Sequence, residues 1–293
     1  MHKYMRAIGF SKLIDRREQQ ELIAEVIESA NHCSYTSGSD ETMLAEYCED
    51  FAENMGIAVC GTYDEEDRFT FDYFYPYLRG RDVSSYEDVS VERHSEKESY
   101  AGICDDIKVG VSLIFYLQNI IPYVKAQNMQ LLPIKGTTLT LSGLSIKGNI
   151  ILPIVKNERE VQKVKKASIN RNQLIAAARQ GDEDAIESLT LEDMDTYTSI
   201  SRKILKEDVF SLVDTYFMPY GVECDQYSIL GEILDYTITT NKITGEKIYL
   251  MKVSCNDLQF DICINSLDLY GEPEVGRRFK GVIWMQGFIN YPD

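Results

Sequence analysis

The sequence predicts an α+β fold: N-terminal helices packed on a mainly antiparallel β-sheet, a helical middle segment, and a small C-terminal β-barrel of OB-like or SH3-like type. Three observations carry this. Apolar residues in the first 55 positions recur at helical spacing, as in Leu22, Ile23, Val26 and Ile27. From Ile57 the apolar period falls to two. From Tyr227 onward strand patterns follow one another, with Gly271, Gly276, Gly281 and Gly287 placed where a small barrel needs turns and bends.

Each element follows in order. Asp15 to Ala30 reads as an amphipathic helix, and Thr42 to Met55 as a second, with Leu44, Tyr47, Cys48 and Phe51 on one face and Gly56 as its stop. The two helices are expected to cover one face of the sheet. Ile57–Tyr63 and Arg68–Tyr77 flank the charged tip DEED at 64–67, a hairpin. Asp88–Arg93 and Ser99–Cys104 bracket HSEKE at 94–98, a second hairpin, and Val109–Leu117 reads as a strand, with a short buried helix fitting nearly as well. Thr137–Ile146 and Asn149–Val155 read as a hairpin turning at Gly148. Asn172–Arg179 is Ala-rich and helical, Gly181 ends it, and Asp182 caps the next helix. Thr190 with Asp193 resembles a capping box, and Asp208 opens a helix through Phe217 that Pro219 and Gly221 break. Ile229–Thr239, Lys247–Ser254, Leu258–Ile264 and Phe279–Ile289 are the barrel strands. The division expected is 1–155 for the α+β domain, 156–222 for a basic linker and helical segment, and 223–293 for the barrel.

Composition narrows the function classes. The 293 residues hold 30 basic and 47 acidic side chains, a net charge of −17 that repels phosphates and anionic lipid over most of the surface. The charge is uneven. Residues 40–108 hold 19 acidic against 6 basic, and 135–179 hold 2 against 9. The longest apolar stretch, Val111–Leu117, is far short of the ~20 residues of a spanning helix. The opening MHKYMRAIGF lacks the apolar core of a secretory leader, so the cytoplasm is expected. Seven cysteines without a Cys-x-x-Cys pair, and only three histidines, argue against a disulfide framework and a structural zinc site.

Several stretches resemble a known family. CDDIKVGVSLIFYLQN at 104–119, LIAAARQGDEDAIESLTLEDMDTYTSISRKI at 174–204, DTYFMPYGVECDQYSILGEI at 214–233 and GEPEVGRRFKGVIWMQG at 271–287 are similar to an uncharacterised bacterial family of about this length, a domain of unknown function found in gut Firmicutes. That resemblance implies one full-length protein and no reaction, substrate or catalytic residue. LIAAARQGDEDAIESL at 174–189 is also similar to the first helices of bacterial sigma factors, but here it is internal and followed by acidic residues. Helix-capping chemistry alone accounts for it.

The densest polar cluster spans 92–106. Arg93, His94, Glu98, Tyr100, Cys104, Asp105 and Asp106 are the ligand-binding candidates, with Lys97 beside them. A histidine near a carboxylate suits acid–base work, a cysteine near a histidine can be a nucleophile, and adjacent aspartates can hold a hard cation. The plainer reading is a charged turn before a strand. Lys163, Lys165, Lys166 and Arg171 are the anion-binding candidates, in a segment that reads equally as a solvated linker. DEED lacks the spaced ligands and glycine of a calcium loop. FTFDYFYPYL at 69–78 is a stacking surface or a half-buried strand. No phosphate loop, dinucleotide fingerprint or nucleophile elbow is present. Nucleic acid is an unexpected ligand for the barrel, since residues 223–293 hold 11 acidic against 6 basic side chains. These features point to a binding or regulatory protein, with a protein or small molecule as partner and no cofactor or metal named. The alternative is an enzyme of unfamiliar type using 92–106 with a divalent metal. Edge strands leave a homodimer open.

Overall fold

The structure, a computed structural model, describes every residue apart from 1, 14, 39–41, 94–98, 107, 110, 155–166, 168, 169, 172, 179, 205–212 and 293. Strands dominate it. The first sheet is four consecutive antiparallel strands: β1 (His32–Ser37), β2 (Met43–Ala52), β3 (Met55–Tyr63) and β4 (Phe69–Leu78). Asn54, with φ 58°, turns β2 into β3. The DEED tip turns β3 into β4 because Asp64 Oδ1 accepts from the backbone N–H of Glu66 (3.0 Å) and Arg68 (2.9 Å). A 3-10 helix (Lys3–Ile8) and α1 (Arg16–Ser29) precede the sheet. Asp15 caps α1 through Arg17 N (3.1 Å), and Leu22 and Val26 are its buried face.

The second sheet has ten strands. β5 (Val89–Arg93), β6 (Tyr100–Cys104) and β7 (Leu113–Leu117) form an antiparallel meander at one end. α2 (Ile120–Asn128) leads to β8 (Thr138–Ile151), and α3 (Glu183–Ile204) follows. After β9 (Tyr216–Pro219) come β10 (Gln226–Thr240), β11 (Lys247–Cys255), β12 (Leu258–Asn265), β13 (Leu269–Tyr270) and β14 (Arg278–Asn290). Five of these close a barrel in the order β8-β12-β11-β10-β14, with β14 returning to β8. β8 runs parallel to β12, and the other four neighbouring pairs are antiparallel. β7 extends the sheet by pairing parallel to β14.

Two apolar cores result. The barrel interior holds Ile229, Ile233, Met251, Val253, Phe279 and Ile283, each fully buried. The second core lies outside the barrel wall. There Leu144, Ile248, Cys263 and Trp284 pack with Tyr4, Met5 and Ile8 of the N-terminal segment and with Phe51, Ile57 and Val59 of the first sheet. Each such aliphatic or aromatic side chain contributes about 1.5–3 kcal/mol on burial. The first sheet and the barrel therefore hold each other through shared apolar area. Ion pairs line the same boundary: Arg81 Nη2–Asp261 Oδ1 at 2.7 Å, Lys252–Asp82 at 2.7 Å, and Lys242–Glu49.

Several elements differ from expectation. The predicted helix at 42–55 is β2 and its turn. Ala45 and Tyr47 point to one side and Leu44, Glu46 and Cys48 to the other, all buried, so a strand covered on both faces mimics helical spacing. Of the two α-helices expected, α1 forms beside the sheet and 42–55 does not. The hairpin expected at Gly148 is the continuous strand β8. Gly148 is small because the Phe279 ring occupies the space a Cβ would take. Thr190 sits inside α3, its hydroxyl donating to Ile186 O (2.8 Å), while Asp182 caps the helix by accepting from Ala185 N (3.1 Å). Among the described residues of Val109–Leu117, the strand is Leu113–Leu117. Residues 216–219 are strand, and most of the helix expected from Asp208 lies outside the described residues. The barrel draws β8 from before residue 223. Secondary structure is mostly β, and α+β describes the chain broadly.

Candidate functional site

Of the predicted cluster, His94 and Glu98 lie outside the described residues, as does Lys97. Arg93 ends β5 directly opposite Tyr100 on β6. Tyr100, Gly102 and Cys104 alternate onto the buried face of β6, which sends Tyr100 against the Tyr123 ring of α2 (5.8 Å) and Cys104 into the core. Burial pushes the Cys104 thiol up to about 11, and its neighbour is the Ser85 hydroxyl at 3.8 Å. Asp106 is also buried. It accepts from Ser85 Oγ (2.6 Å) and Lys108 N (2.9 Å), a turn-closing role. Asp105 accepts from the Ser112 hydroxyl instead. Ser85 thus brings Cys104 and Asp106 together, whereas Asp105 bonds to Ser112 and Tyr100, on the same face of β6 as Cys104, packs at the far end of the strand against Tyr123.

Among the anion candidates, Arg171 pairs with Glu192 of α3 (3.6 Å), and Lys163, Lys165 and Lys166 lie outside the described residues. On the barrel, Arg278 is buried and donates to Leu152 O and Val213 O, and Trp284 donates to Asp225 (2.7 Å). Both are occupied in structure. Among the described residues, no three His, Cys, Asp or Glu side chains are grouped to hold a metal ion.

Two arrangements emerge that periodicity did not flag. One is a polar joint inside the molecule. On β2, Glu46 lies opposite Cys60 of β3 and beside Tyr75 of β4. Tyr75 Oη is 2.9 Å from Glu46 Oε1 and 3.1 Å from Gln118 O, just before α2. Gln118 and Gln286 of β14 then cross-link Leu78 and Pro76 of β4 by side-chain amides. Burial pushes the Glu46 carboxyl up to about 7, against the pull of the Tyr75 hydrogen bond and the Arg79 charge. Local sequence pattern gives no signal for it, since 42–55 reads as a helix and the partners of Glu46 come from distant segments.

The other arrangement is an open groove of about 450 Å³ between α1 and the turn joining β10 to β11. Phe10 and Leu22 are buried in its floor, with Leu13 and Ile243 beside them. Glu18, Glu21 and Glu25 line it from one stripe of α1, and Glu246 from the opposite wall. The wall is rigidly built. Glu246 accepts from Ser11 Oγ (2.6 Å) and Asn265 Nδ2 (2.6 Å), Thr244 donates to Gly9 O (2.7 Å), and Asn241 donates to Ile8 O (2.8 Å). Lys12 is the basic lining residue.

Residues 5–287 match the family described as a domain of unknown function from an E. rectale gene, DUF3881. No curated protein and no solved structure matches the chain.

Proposed function

The chain belongs to the DUF3881 family, whose description assigns no activity, and we propose on that premise that it is a cytoplasmic binding protein. Its groove between α1 and the β10–β11 turn takes a basic segment of a partner that inserts an aliphatic side chain. The observation that carries this is the pairing of an apolar floor with a glutamate rim in one concave surface.

The barrel topology supports the location. β10, β11 and β12 form a meander, β12 lies parallel to β8, and β8 and β14 complete the circuit. We read this as an OB-type order, circularly permuted so that the usual fifth strand comes first. Barrels of that type bind on the face of their second and third strands and through the loop joining the first two. Here that face gives Ile248 and Cys263 to the core under Tyr4, Met5 and Ile8, which blocks a stacked single strand. The loop remains, and it is one wall of the groove. All seven cysteines are free thiols, in keeping with a reducing compartment. Cys104 is buried beside the Ser85 hydroxyl and its thiol is pushed up by that burial, which does not favour a thiolate nucleophile there.

The test is calorimetric titration with an amphipathic Lys/Leu peptide at low and moderate salt. Combined Glu18→Gln, Glu21→Gln and Glu25→Gln should weaken binding about tenfold, at roughly 0.5 kcal/mol per exposed charge. Ile243→Asp should weaken it as well. Equal affinity for wild type and both variants refutes the groove.

A further inference from the structure

We propose that Glu46 is a proton-controlled latch that holds α2 closed over the joint between the first sheet and the barrel. The geometry is a problem in counting protons. Tyr75 has one hydroxyl proton and two acceptors in range, Glu46 Oε1 at 2.9 Å and Gln118 O at 3.1 Å. With Glu46 ionised, the carboxylate is the stronger acceptor and takes that proton, leaving Gln118 O without it. With Glu46 protonated, the acid donates to Tyr75 Oη and Tyr75 donates to Gln118 O. Both contacts are then hydrogen bonds, and the relay runs unbroken from β2 through β4 to the start of α2.

The surroundings make the ionised state costly. Ser34 of β1 and Cys60 of β3 lie opposite Glu46 in the sheet, and the Cys60 thiol is 3.8 Å from Oε1. β4 contributes Tyr73 and Tyr75, and β7 contributes Tyr116, whose ring meets that of Tyr75 at 4.7 Å. Cys48 of β2 lies on the same face, and Asp72 lines the adjoining pocket. The cation that acts on it, Arg79, makes its direct contacts with Asp50 (3.5 Å) and the Tyr77 ring (4.6 Å). α2 offers Glu46 the apolar Ile120 and Ile121 across a pocket of about 20 Å³, room for about one water. A carboxylate formed there gains hydration only if α2 lifts. Gln118 and Asn119, which anchor α2 to Gly287 and Ile289 of β14, are the hinge of that motion.

Hydrogen exchange of the α2 amides, Tyr123 to Met129, tests this on the full chain at pH 5.5 and pH 8.5, with intrinsic rates divided out. Wild type should lose protection about tenfold or more at the higher pH, the fold-change that one hydrogen bond is worth. Glu46→Gln should show the same protection at both. Should Glu46→Gln not fold, Tyr75→Phe decides: without the relay hydroxyl, α2 protection is low at pH 5.5 already. Unchanged wild-type protection, a pH-dependent loss that persists in Glu46→Gln, or full protection of Tyr75→Phe at pH 5.5 overturns the latch.

Discussion

Asp261→Ala removes the main ionic contact between the first sheet's exit and the barrel, and its cost can be worked from geometry. The carboxylate of Asp261 accepts from Arg81 three times: from the backbone N–H at 2.7 Å, from Nε at 3.1 Å and from Nη2 at 2.7 Å. Asp261 is 7% exposed in its side chain, whereas Arg81 is 36% exposed. Breaking a fully buried pair costs about 3–5 kcal/mol. Arg81 can turn partly to water and keeps Asp235 at 3.3 Å, so the value is discounted to about 2 kcal/mol. For a chain of this size that lowers Tm by roughly 3 °C. The assay is urea and thermal denaturation followed by circular dichroism, in a double-mutant cycle with Arg81→Ala. A coupling energy of about 1 kcal/mol or more is expected. A loss below about 0.5 kcal/mol, or additive single variants, would show that the apolar boundary alone joins sheet and barrel.

Two further outcomes follow from burial. The folded Glu46 carboxyl lies at about 7, above its ordinary value of 4.5, so its stabilising contribution is complete below pH 4.5 and is lost as pH rises through 7. Stability should fall by about 3 kcal/mol across that window at 1.36 kcal/mol per unit, and denaturation of Glu46→Gln at pH 5 and 8 should show that fall removed; an equal fall in both proteins rejects it. Thiol titration of the native protein should find Cys33 and Cys224 reacting promptly and the five buried cysteines only after denaturant, and prompt reaction of more than two contradicts the cores described.

The four long strands after residue 226 were legible because runs rich in apolar and β-branched residues are separated by turns, although β12 is buried almost throughout and β14 does not alternate. α1 was legible through Asp15 and its apolar stripe. β2 was not, since burial on both faces erases the period of two and Leu44, Tyr47, Cys48 and Phe51 fall at helical intervals by coincidence. Gly148 misled for a related reason: a glycine that admits an aromatic ring looks, in sequence, like a glycine that turns the chain. The 92–106 cluster was dense in sequence, yet pleating sends Tyr100 and Cys104 inward and splits Asp105 from Asp106. The groove and the Glu46 joint depend on segments far apart in the chain, as with Ser11 and Glu246, and local pattern carries no trace of them.

The strand order also governs the sequence of events in synthesis. β14 pairs with β8, with β10 and with β7, so the barrel has an open seam until residues 278–290 have left the ribosome. Until then β8 exposes an edge of unpaired backbone N–H and C=O groups, and β10 of the meander β10-β11-β12 lacks its neighbour β14. Such long-range pairing is slow, and a half-closed barrel is the species on which a holding chaperone would act.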